Sequence, residues 1–199
     1  GFETVTVAAA TTNDIKITTS NENATASQAL TVNASALTNT AAQLTFTSGE
    51  TGTGESLATV NVTGGAGADS ITAGTEKSNF VGGGGADTFT FATANLTSAD
   101  TVSGGDGADV LTLSDAATIV DADFTSITSV ANIDATGGAN TITLGSLADA
   151  TGIASIQGAA SAVDTVTVGA GFDNALSINL NAGNDVIDAS ASSAAITII

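Results

Sequence analysis

The chain of 199 residues contains no cysteine, histidine, proline, methionine, tryptophan or tyrosine. Without histidine and cysteine, it cannot form Ser-His-Asp or Cys-His catalytic arrangements or a zinc site with the usual ligands. The absence of cysteine also excludes disulfides, which leaves the cellular compartment undetermined. Catalysis would have to depend on carboxylates alone, and we expect that the chain is not an enzyme.

Basic residues are nearly absent as well. The chain has two basic residues, Lys16 and Lys77, and 20 acidic residues, which gives a formal net charge of -18. Two lysines cannot neutralise a phosphate backbone, so nucleic acid and anionic membrane surfaces are excluded as partners. No apolar run reaches the roughly 18 residues of a membrane span, and we expect neither membrane insertion nor a signal peptide here. The charge indicates a cation as the partner.

The residues that are present follow a β pattern. Short stretches such as TVTV at 4–7 and TFTF at 88–91 alternate apolar with hydroxyl side chains, which is the period of a half-buried strand. From Ile71 the strand positions recur every nine residues, at Phe80 and Phe89, as expected of a repeat array whose units stack on each other. We expect Phe80 and Phe89 to be core residues. We therefore predict an all-β fold, a parallel β-solenoid or β-roll of about eleven coils of roughly eighteen residues, with few helices.

One segment is ambiguous. Apolar residues recur at every third position from Phe124 to Ile133, which fits either a helical face or a loop-to-strand cap. The surrounding β period favours the cap.

Aspartates divide the chain into three segments. Residues 1–63 contain only Asp14 and form a predicted metal-poor β-solenoid, whereas most later aspartates lie in Gly-rich or Asn-rich turns. Residues 64–112 form a predicted calcium β-roll. Residues 113–199 continue the solenoid with degenerate repeats.

The middle segment repeats one motif three times, as GGAGADSIT at 64–72, GGGGADTFT at 82–90 and GGDGADVLT at 104–112. Calcium prefers six to eight hard oxygen ligands, and glycines let the backbone turn tightly enough to aim carbonyls inward while aspartate supplies charge. A single loop of this kind is also an ordinary turn, but three copies in a nine-residue frame indicate calcium.

Two nonapeptides complete one coil, so loops eighteen residues apart should stack on the same edge. Calcium sites are then expected between the first and second loops and between the second and third loops. The predicted metal ligands are Gly64, Ala66, Asp69, Gly82, Gly84, Asp87, Asp100, Gly104, Asp106 and Asp109.

The opposite edge departs from the motif. The intervening unit AGTEKSNFV has Ser78 in the aspartate position, and four extra residues precede Asp100. We expect these residues to form a loop that bulges from that edge, where a calcium site is weak or missing. Farther on, Asn140, Asp164, Asp173 and Asp185 fit a solvated turn as well as a ligand.

The three motifs resemble RTX repeats, and their order resembles the calcium-dependent S-layer proteins of Gram-negative bacteria. The resemblance implies an extracellular, cell-surface protein exported by a type I system. It also implies self-association into a calcium-dependent lattice or fibre, with cell-surface polysaccharide bound through other regions. We therefore expect a calcium-stabilised structural module of a surface layer or extracellular filament. The alternative is a stalk or spacer of a large RTX adhesin.

Overall fold

The computed structural model describes residues 4–8, 13–19, 28–49, 59–92 and 94–199. Parallel strands wind into a β-solenoid, which confirms the predicted fold class. The strands of the first half are β1 (Thr4–Thr6), β2 (Ile15–Thr18), β3 (Ala29–Asn33), β4 (Leu44–Thr47), β5 (Thr59–Thr63), β6 (Ser70–Thr72), β7 (Lys77–Gly84), β8 (Thr88–Phe91), β9 (Thr101–Asp106) and β10 (Val110–Leu113). Those of the second half are β11 (Thr118–Ile119), β12 (Ile127–Thr128), β13 (Asn132–Asp134), β14 (Thr141–Leu144), β15 (Ser155–Gln157), β16 (Thr165–Val168), β17 (Leu176–Asn179), β18 (Val186–Asp188) and β19 (Ile196–Ile198).

The strands form three parallel sheets. Sheet A has the order β1-β3-β5-β7-β9-β12, sheet B runs through nine strands from β2 to β19, and sheet C has the order β11-β14-β16-β18. The chain alternates between sheets A and B up to β10. Sheet C opens at β11, close to where β12 ends sheet A, and the later coils alternate between sheets B and C.

Side chains that point inward stack in register along the axis. Phe46 pairs with Ile71, Ile71 with Phe89, and Phe89 with Leu111 in sheet B. All four are fully buried, as Phe80 is from sheet A. Burying each such side chain stabilises the fold by roughly 1.5–3 kcal/mol. This confirms the inward placement of Phe80 and Phe89.

The outward side of sheet B carries hydroxyl groups. Thr18, Thr47, Thr72, Thr90 and Thr112 follow one another in register. The outward residues of β4, β6, β8 and β10 form what we term the hydroxyl face, and none of them is charged: Thr45, Thr47, Ser70, Thr72, Thr88, Thr90, Val110 and Thr112.

The coils are fewer and larger than expected. Sheet B has nine rungs, and a coil of eighteen residues separates β6 from β8, whereas 22 residues separate β8 from β10. The prediction of about eleven coils was wrong because it extended the nonapeptide spacing to regions with longer turns. As expected, the extra residues before Asp100 lie in the loop between β8 and β9.

Helices are few. One α-helix, α1 (Ser146–Thr151), was missed, and a 3-10 helix covers Asp121–Phe124. The Asp121 carboxylate accepts hydrogen bonds from the N–H groups of Gly145 and Ala148 and thereby caps α1. The ambiguous segment from Phe124 to Ile133 contains β12 and the start of β13, as the loop-to-strand interpretation predicted. In the part of the chain that the structure describes, no helix has the length and apolarity to cross a membrane.

The metal-poor segment remains a prediction, and residues 1–3, 9–12, 20–27 and 50–58 of it lie outside the described residues. We expect β3 to keep its hydrogen-exchange protection when calcium is removed, because its turn is closed within the chain by the hydrogen bond from the Leu37 N–H to the Ala34 carbonyl. Exchange measured with calcium and with chelator tests this. If β3 opens together with β8 and β10, the segment is not independent of the metal.

Candidate calcium site

The three Gly-Asp loops lie one above another on the edge between sheets A and B. Gly83 pairs with Gly105, and Gly84 with Asp106, in the ladder that joins β7 to β9. The strands that follow the loops are also in register, because Ser70 pairs with Thr88 and Thr88 with Val110. The loops therefore stack as the sequence spacing predicted.

The aspartates of these loops form a column linked by backbone hydrogen bonds. The Asp69 N–H donates to Asp87 Oδ1 at 2.7 Å, and the Asp87 N–H donates to Asp109 Oδ1 at 2.8 Å. Below them, the Leu44 N–H donates to Asp69 Oδ1 at 2.6 Å. All three side chains are at most 2% exposed. We term Asp69, Asp87 and Asp109 the Asp column.

The second carboxylate oxygens differ along the column. Asp69 Oδ2 accepts a hydrogen bond from the Gly65 N–H at 2.6 Å, whereas Asp87 Oδ2 and Asp109 Oδ2 are buried and accept none. A buried carboxylate oxygen without a partner is costly unless a proton or a cation compensates it. The loops contain no basic residue, so the chain itself supplies no such cation.

Burial raises the pKa of Asp87 from 3.8 to about 7. The hydrogen bond from the Asp69 N–H lowers it in part, while the charges of Asp69 and Asp109 raise it further. Burial also raises the pKa of Asp69, against the hydrogen bonds that it accepts from Leu44 and Gly65. The column therefore holds negative charge that the metal-free fold disfavours.

Two features of the glycines explain the motif. The second and fourth positions of the later loops have φ angles from 101° to 142°, which disfavour any side chain: Gly83, Gly85, Gly105 and Gly107. At the first position, a Cβ on Gly82 would lie 2.1 Å from Asp87 Oδ2 and 2.5 Å from the Gly104 carbonyl oxygen. Glycine thus leaves room where a carboxylate oxygen and a carbonyl oxygen converge. Hard oxygens of both kinds are the ligands that calcium prefers, so the residues fit this ion.

Asp106 lies apart from the Asp column. Its side chain is exposed, and it borders an open groove of about 370 Å³ along the loop edge. The predicted ligands Gly64, Ala66 and Gly84 line the same groove. Asp106 is therefore placed to meet a ligand from the solvent side of the loops.

Asp100 lies on the opposite edge. Its Oδ1 accepts a hydrogen bond from the Ser78 N–H at 2.7 Å, and its Oδ2 accepts from the N–H and Oγ1 of Thr97 at 2.8 and 3.0 Å. Ser78 thus occupies the position that aspartate takes in the column, as its place in the motif indicated. The Asp100 carboxylate is satisfied by protein donors, and the structure does not bring it to the Asp column.

Within the described ranges, no three acidic side chains cluster closely enough to hold a metal by themselves. This fits loops in which each turn contributes one carboxylate and the backbone carbonyls contribute the remaining oxygens.

Sequence reasoning left a second set of residues unassigned. Asn140, Asp164 and Asp185 form another column, on the edge between sheets B and C, with the same hydrogen-bond pattern. The signal was present in the sequence, because each of these residues directly precedes a strand, as Asp69, Asp87 and Asp109 do.

We expect Asp87→Asn to weaken calcium binding more than Asp69→Asn, because Asp87 lies between two neighbours and has an unpaired oxygen. The midpoint of a calcium titration should rise about tenfold or more for Asp87→Asn, which corresponds to about 1.4 kcal/mol. Without calcium, Asp87→Asn should instead stabilise the protein and raise the urea midpoint of unfolding, because it removes a buried charge. Equal losses for the two variants would contradict the stacked geometry.

The pKa of Asp87 predicts a pH dependence. Between pH 3.8 and about 7, the folded metal-free protein keeps a proton that the unfolded chain releases, so its free energy of unfolding should fall as pH rises and level off above 7. Urea unfolding of calcium-depleted protein from pH 4 to 8 measures this slope, and Asp87→Asn should flatten it. Calcium should add most stability at the upper end, where the carboxylate is ionised. A free energy of unfolding that rises with pH over this range would contradict the raised pKa of Asp87.

The family model for the RTX calcium-binding nonapeptide repeat matches residues 63–93 and 96–116, with four copies. No curated protein sequence and no solved structure matches the chain. The resemblance to S-layer proteins therefore stays a hypothesis. The matched residues contain the Asp column and its glycines, and RTX repeats of this kind bind calcium. The chain thus carries RTX calcium-binding repeats within a longer parallel β-solenoid.

Proposed function

We propose that the chain is a structural module of a bacterial surface layer or extracellular filament, in which calcium stabilises the solenoid and copies associate with one another. The observation that carries the proposal is the Asp column, in which Oδ2 of Asp87 and of Asp109 are buried without a partner and a bound cation would compensate their charge. RTX repeat proteins are typically secreted and extracellular, where calcium is abundant enough for sites of modest affinity.

The column explains a structural role for the ion. Burial and neighbouring charges disfavour ionised Asp87, and the glycines of its loop add the entropy cost of ordering a flexible backbone. When bound, calcium supplies the positive charge that these oxygens lack. Asp69, Asp87 and Asp109 hold the turns in register through their hydrogen bonds, so occupancy of the sites would stabilise the whole central stack.

The hydroxyl face supports self-association. Copies with a net charge of -18 repel one another, and the repulsion is weakest where a surface carries no charge. The hydroxyl face meets this condition from β4 to β10, and its side chains form an array with the regular spacing of a sheet. We place the lateral contact between copies on this face.

A stalk or spacer of a large RTX adhesin is the second candidate. A solenoid can separate two domains without contacts between copies. An enzyme is not proposed, because hydrogen bonds of the solenoid and the calcium assignment already account for the carboxylates described above.

Sedimentation, circular dichroism and electron microscopy with calcium, magnesium or chelator test the proposal. Calcium should produce β signal and regular assemblies. Magnesium should fail, because its small octahedral shell suits carbonyl cages poorly. Folded monomers with calcium would favour the stalk or spacer. Unchanged spectra in all three conditions would contradict a structural role for calcium.

Two variants locate the contact. Thr90→Asp adds a charge to the hydroxyl face and should abolish assembly while calcium binding is kept. Thr101→Asp, which adds the same charge to the exposed outer side of sheet A, is the matched control and should assemble like the wild type. Equal behaviour of the two variants would exclude the hydroxyl face as the contact.

A further inference from the structure

The column on the edge between sheets B and C repeats the connections of the Asp column. The Ala117 N–H donates to Asn140 Oδ1 at 3.0 Å, the Asn140 N–H to Asp164 Oδ1 at 2.7 Å, and the Asp164 N–H to Asp185 Oδ1 at 2.9 Å. Asn140 and Asp164 are each 1% exposed. These residues lie beyond the range that the RTX family model matches. The geometry of the RTX turn therefore continues where its sequence motif has been lost.

The amide group of Asn140 distinguishes this column. Its Nδ2 lies 2.5 Å from the carbonyl oxygen of Ala135, 2.5 Å from that of Gly138 and 3.1 Å from Asp164 Oδ1. Two carbonyls of its own loop and one carboxylate of the next coil thus surround a single nitrogen. A site of converging carbonyl and carboxylate oxygens is what a calcium loop offers to its ion.

Both carboxylate oxygens of Asp164 are also satisfied, in contrast to Oδ2 of Asp87 and of Asp109. Asp164 Oδ2 accepts a hydrogen bond from the Ala159 N–H at 2.8 Å, and Asp164 Oδ1 accepts from both nitrogens of Asn140. Asp87 Oδ2 and Asp109 Oδ2 have no such donors. An amide donates two hydrogens where a carboxylate donates none, so the Asn140 amide and the Ala159 N–H together leave the Asp164 carboxylate with a donor for each oxygen.

We propose that the side-chain amide of Asn140 takes the place of a calcium ion, so that the loop of residues 135–140 is an RTX-type loop that folds without metal. A single change, Asn140→Asp, converts it into a calcium site. The carboxylate would face two carbonyls and Asp164 without a donor, and at a pH where it is ionised only a cation would relieve this repulsion.

The test compares Asn140→Asp with Asn184→Asp, an exposed position in the loop before β18 that receives the same change of charge. In chelator, Asn140→Asp should lose hydrogen-exchange protection in β14 and β16. Calcium should restore it, with one more ion bound per chain than in the wild type. Asn184→Asp should behave like the wild type. Protection that survives chelator in Asn140→Asp, or that calcium does not restore, would overturn the proposal.

The wild type provides a second measurement, which does not depend on the folding of a variant. The side-chain NH₂ of Asn140 should exchange slowly in NMR spectra, with calcium and with chelator alike, because both hydrogens are held by buried oxygens. Fast exchange in chelator would show that the amide does not close the loop by itself. Neither measurement depends on assembly, so a failed surface-layer proposal would leave this inference standing.

Discussion

The solenoid depends on a hydrogen bond between coils at the point where each turn becomes a strand. The N–H of an aspartate donates to the carboxylate of the equivalent aspartate one coil farther along, as from Asp69 to Asp87. This bond fixes which turn follows which, and a slip of one residue would move Phe89 from the core to the surface. The same bond forces carboxylates into a buried column. The fold therefore gains register at the cost of like charges held close together, and a cation resolves the conflict.

The conflict is resolved differently in the two halves of the chain. In the Asp column the turns are short and rich in glycine, and oxygens without donors remain at Asp87 and Asp109. In the later column, the Ala159 N–H and the Asn140 amide satisfy the carboxylate of Asp164. In the Asp column, the Gly65 N–H satisfies Asp69 Oδ2, but no donor reaches Oδ2 of Asp87 or of Asp109. Metal dependence thus follows from which carboxylate oxygens the donors of each turn reach.

The sequence was sufficient to predict the strands, the inward positions of Phe80 and Phe89, and the stacking of the three loops, because each depends on local periodicity. It was not sufficient to predict the nine rungs of sheet B, the change from sheet A to sheet C, or α1, which depend on pairing between distant residues. The hydrogen bonds of Asp100 and Asn140 could not be predicted either. Asp100 accepts from Ser78, about one coil away, and the Asn140 amide donates to a backbone carbonyl, which no sequence pattern marks.

Charge and flat surface are separated in this molecule. Most aspartates lie in turns, in short helical segments or directly before strands, and Asp106, Asp134 and Asp188 end strands, whereas the hydroxyl face between β4 and β10 carries none. Calcium bound at the turns would lower the net negative charge of each copy as well as stabilise its coils. Electrostatic repulsion between copies falls with the charge on each, so the ion that orders the turns would also let the uncharged faces approach. In the proposed assembly, calcium binding therefore promotes both folding and association, because the charges of the same carboxylates oppose both.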